Sequence, residues 1–452
     1  MMTSTSRIER VQVSGLFGLF THPITLNLDK RLTIIHGANG LGKTIILRMI
    51  AGLFQGNFGV FRRVPYDMFE VYFEDGRKLT VRTRPMPSDG GQLLLPSTED
   101  VPRQVSVTLE GGKFPETYSP GMNRITRRPS LIDRIEHYLP FLTRVGPETW
   151  RDERIGEVLD LEDVVERYHD DAPLPAYEVA DEPKGVRELR RSLNVRLIRT
   201  QRLDAEEESR RGATQRRSTV PAVERNSLAL THHIRGILEE YASVSQRLDR
   251  SFPIRLFQQN SSADMSASDL RARLAELEAR RSELHAFGFL DLDTSLNEVP
   301  DEILERRRDV FSVYVSDVAQ KLAVFDDVAH RVAELLRIVN ARFKYKKLEI
   351  SRERGYVLRS DTGKELKPSD LSSGEQHELV MIHELIFNTQ KNSLILIDEP
   401  ELSLHLEWQQ RFLDDLSRVS KISGFDVLIA THSADIIGAN WDLTVELRGP
   451  QS

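Results

Sequence analysis

Between Arg31 and Phe54 the chain reads RLTIIHGANGLGKTIILRMIAGLF. An apolar run suited to a buried strand enters a glycine-rich loop, and a helical pattern begins directly after it. The loop, Gly37 to Thr44, follows the pattern of a glycine, four residues and then Gly-Lys-Thr. Glycine at 37, 40 and 42 permits a tight turn around Asn39 and lets backbone N–H groups approach phosphate oxygens. The following helix offers its unsatisfied N–H groups and its positive end to the same anion. On this reading Lys43 reaches the β- and γ-phosphates of a nucleotide, and Thr44 sets its hydroxyl on Mg²⁺.

A second apolar run, Leu394 to Ile397, ends in Asp398 and Glu399. Open α/β sheets place ligands at the carboxyl ends of their strands. Asp398 is then set to orient Mg²⁺ or its bound water, and Glu399 to polarise an attacking water as general base. Alone, such an acidic pair reads as a solvated strand end. With the glycine loop upstream, metal-assisted hydrolysis is the expected chemistry. ATHSAD closes another apolar strand and puts His432 in reach of a γ-phosphate. His232 and His233 have no comparable setting.

Strands alternating with helices at both ends of the chain argue for a mostly parallel sheet covered by helices. RIERVQVSGLF, ITLNL and RQVSVTLEGGKF read as additional strands, and MFEVYFEDGRKLTVRT predicts two strands around an Asp-Gly turn. Residues 83–100 read as loop, 115–185 give a weak mixed pattern, and VRLIRTQRL reads as a strand running into a charged turn. From about 222 to 343, apolar residues recur at helical spacing, as in Ile234, Leu238, Tyr241 and Leu248, or Leu270, Leu274, Leu277 and Leu284. A third run holds Val318, Leu322, Phe325, Val332, Leu336 and Val339. KKLEISRERGYVLRSDTG predicts a hairpin, and LSSGEQHE starts a helix with a serine cap and a Glu in its first turn. The expected fold is α/β, with a mostly parallel sheet, accessory antiparallel strands and an inserted helical hairpin or short bundle. Its expected parts are 1–203, the insert 204–343, and 344–452.

At 452 residues the chain exceeds one ordinary core. It has no cysteine, which excludes a disulfide framework or a thiolate metal site. No stretch approaches the roughly 20 apolar residues of a membrane span, and MMTSTSRIERVQVSG lacks the apolar core of a secretory signal. A cytoplasmic location without membrane contact is expected. The net charge of -7 gives no global support for nucleic-acid binding. Ten arginines between 187 and 217, Arg190, Arg191, Arg210 and Arg211 among them, read either as a local basic face or as a solvated connector. EEESRRGATQRRSTVP predicts a mobile segment.

Taken in order, GANGLGKT, LSSGEQ, LILIDEPE and ATHS resemble the ATP-binding-cassette type of P-loop ATPase, and within it the soluble RecF, Rad50, SMC and OLD-like group. The resemblance spans roughly 1–80 and 345–440. It implies ATP and Mg²⁺ as ligands and ATP hydrolysis as the reaction. LSSGEQHE falls on the family's signature motif, so Ser372 and Gly374 are expected to touch the γ-phosphate held by another copy. Two ATP molecules would then join two heads, and their loss would reopen them. Ser373 stands where the family commonly has a second glycine; it is small, and binding is expected to survive. Gln201, in VRLIRTQRL, matches the family's glutamine that senses Mg²⁺ and the attacking water. His405 stands where many SMC proteins have aspartate, and the PELSLH run looks OLD-like.

The chain also resembles defence-associated ATPase subunits of the PARIS or OLD-like type. The implied role is the sensor or scaffold ATPase of a bacterial anti-phage system. Such a protein forms a homo-oligomer through head pairing, answers to a phage-protein trigger and controls a separate effector, a nuclease or toxin. The expected absence of an OLD nuclease domain is the reason to look for a separate effector. A RecF-like repair ATPase with DNA as partner and a nucleotide-gated scaffold are the alternative readings.

Overall fold

The computed structural model describes residues 6–85, 103–112, 114–120, 182–199, 222–258, 265–291, 300–402 and 406–449, and within 131–170 only 132, 135, 136, 139, 141–147, 149–153, 158–161, 164 and 168. The chain forms two units, one made of 1–215 with 389–452 and the other of 216–388.

In the first unit, alternating apolar residues build an antiparallel sheet of β1 (Ile8–Leu16), β2 (Phe20–Thr25), β4 (Met68–Phe73), β5 (Lys78–Pro85), β6 (Arg103–Glu110) and β7 (Glu116–Tyr118), in the order β2-β1-β4-β5-β6-β7. The Asp-Gly turn joins β4 to β5 as its sequence predicts, with Gly76 at φ 83°. The expected strand over ITLNL forms earlier, at Phe20–Thr25. A tight turn with Phe17 at φ 55° and Gly18 at φ 73° pairs Leu16 with Phe20 and so fixes the register.

The second sheet of this unit is wholly parallel. Its order is β11 (Val195–Arg199), β15 (Leu394–Asp398), β16 (Asp426–Ala430), β3 (Leu32–His36) and β17 (Thr444–Glu446). Strands from both ends of the chain interleave, and the central ones are continuous apolar runs, as burial on both faces requires. Arg199, Asp398, Ala430, Ile35 and Val445 stand in one register row across the carboxyl edge. α1 (Lys43–Gln55) buries Ile46, Leu47 and Ile50 in a core that takes in Ile35, Leu396 and Leu428 of this sheet and Phe69, Val71 and Val81 of the antiparallel one. α2 (Gly59–Arg63) follows it. A small sheet of β8 (Leu142–Gly146), β9 (Thr149–Asp152) and β10 (Val158–Asp160) has its own core around Trp150.

α3 (Lys184–Ser192) carries the first of the clustered arginines. Arg190 is buried there, donating to Glu182 at 2.8 Å and to the Phe54 carbonyl at 2.9 Å, so it serves packing and not an open basic face. The connector over 206–221, the loop beyond Pro85, Gln201 and His405 lie outside the described residues.

The second unit holds the expected helices: α4 (Ala222–Gln258), α5 (Ala267–Ala286), α6 (Asp301–Arg306), α7 (Arg308–Ala323) and α8 (Asp326–Asn340). Ile234, Leu248, Leu270, Leu274, Leu284, Val318, Leu322, Phe325, Val332 and Val339 are all buried, as their spacing predicts. α7 packs on α4 and α5. The unit also contains the sheet β12 (Lys346–Ser351), β13 (Gly355–Ser360) and β14 (Glu365–Leu366), followed by α9 (Ser373–Phe387), which packs on α4 and α8. The first unit also contains α10 (Leu406–Ser423) and α11 (Ala434–Ile437). No helix among the described residues is long and apolar enough to cross a membrane.

Candidate nucleotide site

β3 delivers the glycine loop to the carboxyl edge of the parallel sheet, and α1 starts at once. Gly37, Gly40 and Gly42 have φ of 149°, 87° and 87°, a region that side chains disfavour. A Cβ at Gly42 would lie 2.5 Å from Leu16 Cδ2, and one at Gly37 would lie 2.7 Å from the Leu447 carbonyl. Asn39 and Gly40 are exposed at the tip of the loop. Gly42 is the N-cap of α1; no side chain caps this helix and its first turn has no acid. Its leading N–H groups therefore suit an anion.

Lys43 is buried, and its ammonium donates to the loop's own carbonyls, Gly37 O at 2.7 Å and Ala38 O at 3.1 Å. Burial pulls its pKa below the usual lysine range, against the opposing pull of Glu399, Glu401 and Asp398. Thr44 Oγ1 donates to Asp398 Oδ1 at 3.0 Å across 354 residues of sequence. A hydroxyl beside a carboxylate is a hard oxygen pair of the kind Mg²⁺ takes when phosphates and water fill the rest of its shell. The donor set fits both the triphosphate and the ion.

Glu399 follows Asp398 in a left-handed backbone conformation, φ 45°, with its N–H held by Ala430 O at 2.9 Å. Strain of this kind persists where the surroundings enforce it. His432 sits beyond the end of β16, and its Nδ1 is 3.9 Å from Glu399 Oε1. Lys43, Thr44, Asp398, Glu399 and His432 thus gather at one sheet edge.

Two further residues join this edge that sequence patterns do not single out. Glu401 Oε1 lies 2.9 Å from His432 Nδ1 and also accepts from Thr431 Oγ1 and the His432 N–H. His22, on β2, is buried with its Nε2 3.0 Å from the Leu41 carbonyl, so it ties down the glycine loop. Only the repeat of acids in DEPE hinted at Glu401; nothing in the sequence marked His22.

Ser372 and Gly374 belong to the second unit. Ser372 is the N-cap of α9; its Oγ accepts from the Glu375 N–H, while Glu375 Oε2 accepts from the Ser372 N–H at 3.0 Å and from Lys346 at 2.9 Å. Apart from its chain neighbours and its own helix backbone, no atom of the described residues lies within 4 Å of a Cβ placed on Gly374.

A family profile described as "AAA domain, putative AbiEii toxin, Type IV TA system" matches residues 201–438, a stretch that contains LSSGEQ, the acidic strand end and His432. No curated protein matches the chain. Among solved structures it is similar to the Smc head domain with an extended coiled coil bound to the C-terminal domain of ScpA from Pyrococcus furiosus, at 13% identity and TM-score 0.35 over 98% of this chain and 94% of that one. It is also similar to the SMC head domain from Thermotoga maritima, at 11% identity and TM-score 0.31 over 96% and 92%. Likeness at these scores carries no argument. The family match covers more than half of the chain: the protein belongs to this AAA-domain family of the AbiEii kind and is an ATPase.

Proposed function

We propose that the carboxyl edge of the parallel sheet binds and hydrolyses Mg·ATP, and that bound nucleotide joins two copies of the chain as the sensor and scaffold of an anti-phage system with a separate effector. The contact between Thr44 and Asp398 carries this reading. A hydroxyl and a carboxylate from distant segments meet beside a buried ammonium and an open helix start, and that combination has no simpler structural purpose.

The amides of Gly37, Asn39, Gly40 and Gly42 cradle the phosphates, and Lys43 answers the β- and γ-phosphate charge. Thr44 and Asp398 would hold Mg²⁺, with Gln201 the expected further ligand, and the ion would neutralise charge on phosphate oxygens. Glu399 takes the proton of the attacking water, and His432 steadies the γ-phosphate. Ser372 and Gly374 meet the nucleotide of the second copy. The family description, which names a toxin–antitoxin system, supports an effector or toxin as the partner.

Turnover and solution mass of the wild type, K43A and E399Q test the reading. The wild type should hydrolyse ATP, K43A should not, and E399Q should double its mass with ATP and not with ADP. Wild-type turnover by K43A would refute the site. A single-copy mass in every nucleotide state would refute the pairing. Pull-down from the native host tests for the effector, and DNA-stimulated, salt-sensitive turnover would favour the repair role instead.

A further inference from the structure

Glu401 stands in the short 3₁₀ turn Pro400–Leu402 that follows the acidic strand end, and its side chain is 7% exposed. One of its oxygens, Oε1, accepts from the Thr431 hydroxyl at 2.8 Å and the His432 backbone N–H at 3.0 Å, and lies 2.9 Å from Nδ1 of the His432 ring. The other, Oε2, is buried and has no hydrogen-bond partner among the described residues. Its side-chain hydrogen bonds thus go to residues 431–432, and Thr431 Oγ1 in turn accepts from the Ser433 N–H at 3.0 Å.

A carboxylate only accepts. A distance of 2.9 Å to Nδ1 favours a proton on that nitrogen over two facing lone pairs, while the bonds to the peptide and to Thr431 fix where the ring hangs. Glu399 Oε1 is a full 3.9 Å from the same nitrogen, outside hydrogen-bond reach. The nearer carboxylate thus holds the ring, and Glu399 is not needed for that task.

We infer that Glu401 is a positioning residue for ATP hydrolysis: without nucleotide it keeps the proton of the His432 ring on Nδ1 and turns Nε2 toward the γ-phosphate, whose oxygens only accept, so that Nε2 donates to them once it too carries a proton. The inference rests on the role given to His432 above. Glu401 itself touches no reacting atom. Replacement by Gln keeps an acceptor at Oε1 and exchanges the buried, partnerless oxygen for an amide nitrogen, so E401Q should keep the arrangement. E401A removes it, and E401D retracts it by one methylene.

Two measurements on the full chain test this. The first is the ¹⁵N spectrum of the imidazole nitrogens in histidine-labelled protein without nucleotide, with the His432 signals assigned by their loss in H432N. The wild type and E401Q should show the Nδ1–H tautomer; E401A and E401D should lose it. The second is ATP turnover. E401A should lower kcat by about 10²-fold, the low end for a positioned proton-handling group, with KM changed less than about 3-fold. E401Q should recover most of that loss, and H432A/E401A should be no slower than H432A.

An Nδ1–H ring in E401A, or in E401D if E401A does not fold, would overturn the inference. So would an E401A loss that multiplies with that of H432A. If H432A alone turns over at the wild-type rate, the role of His432 fails, and the tautomer spectra still decide whether Glu401 sets the ring.

Discussion

The starts of α1 and α9 are built from the same element and finished in opposite ways. α1 opens on Gly42, with no side-chain cap and no acid in its first turn. α9 opens on Ser372 with a full capping box, and Lys346 adds a cation to the capping carboxylate. Every helix start leaves N–H groups without intrahelical partners. In α1 they are left for a ligand. In α9 Ser372 and Glu375 already supply oxygens to them. Phosphate arriving at α1 meets no capping side chain and only draws the Lys43 ammonium off its own loop carbonyls, whereas phosphate arriving at α9 competes with a capping carboxylate. Binding at the glycine loop should therefore precede engagement of the signature helix and need no second copy.

The most severe break of this contrast is K43A. Removing the ammonium beside the open start should lower kcat by on the order of 10² to 10³, the range for losing a donor aimed at developing charge. Titration with a fluorescent ATP analogue should show the matching loss of affinity.

Glycine replacements come next. G42A forces a Cβ to within 2.5 Å of Leu16 Cδ2 at φ 87° and should cost about 1–3 kcal/mol in urea denaturation. G374A meets no atom within 4 Å and lies in a helix, so its stability should stay within about 1 kcal/mol of the wild type. A drop in G374A stability comparable to that of G42A would erase the distinction between the two starts.

S372A removes the cap of α9 and should destabilise by about 1 kcal/mol without nucleotide. A loss of ATP affinity in the single copy would show instead that α9 shares the first binding step.

The smallest effect is a pH dependence. Burial pushes the Glu375 pKa up, but the Lys346 ammonium and the Ser372 hydroxyl and N–H together outweigh it and hold the carboxyl below its usual range. The folded state then binds fewer protons than the unfolded one. The stability this group contributes is complete above the ordinary glutamate pKa and is lost as pH falls through the lower, folded value. Denaturation midpoints of the wild type and E375Q should draw together on acidification.

Local patterns carried much of this. The glycine loop, the acidic strand end, the Asp-Gly turn and the Ser372 cap each depend on neighbours within a few residues, so they are visible in the string. The spacing of Ile234 or Leu270 exposed the buried faces of the helices for the same reason. Glu401 was not visible, because its partners lie 30 and 31 positions away and only the sheet brings them near. His22 reaches its loop carbonyl across 19 residues. Arg190 looked like part of a basic patch until Glu182 closed over it. The small sheet around Trp150 escaped because its strands are three to five residues long, too short for an alternation to stand out.

The interleaved sheet has a consequence for how the protein is made. Among the described residues β3 pairs with β16 and β17, which begin at residues 426 and 444. At about 5–20 residues per second, the ribosome needs roughly 20–80 s after His36 to supply them. For that interval Leu32, Ile34 and Ile35 form an apolar strand without neighbours, the kind of segment that chaperones shield. A nascent chain stalled before Asp426 carries the glycine loop without the two strands that flank β3, so the seat of that loop is completed only late in synthesis.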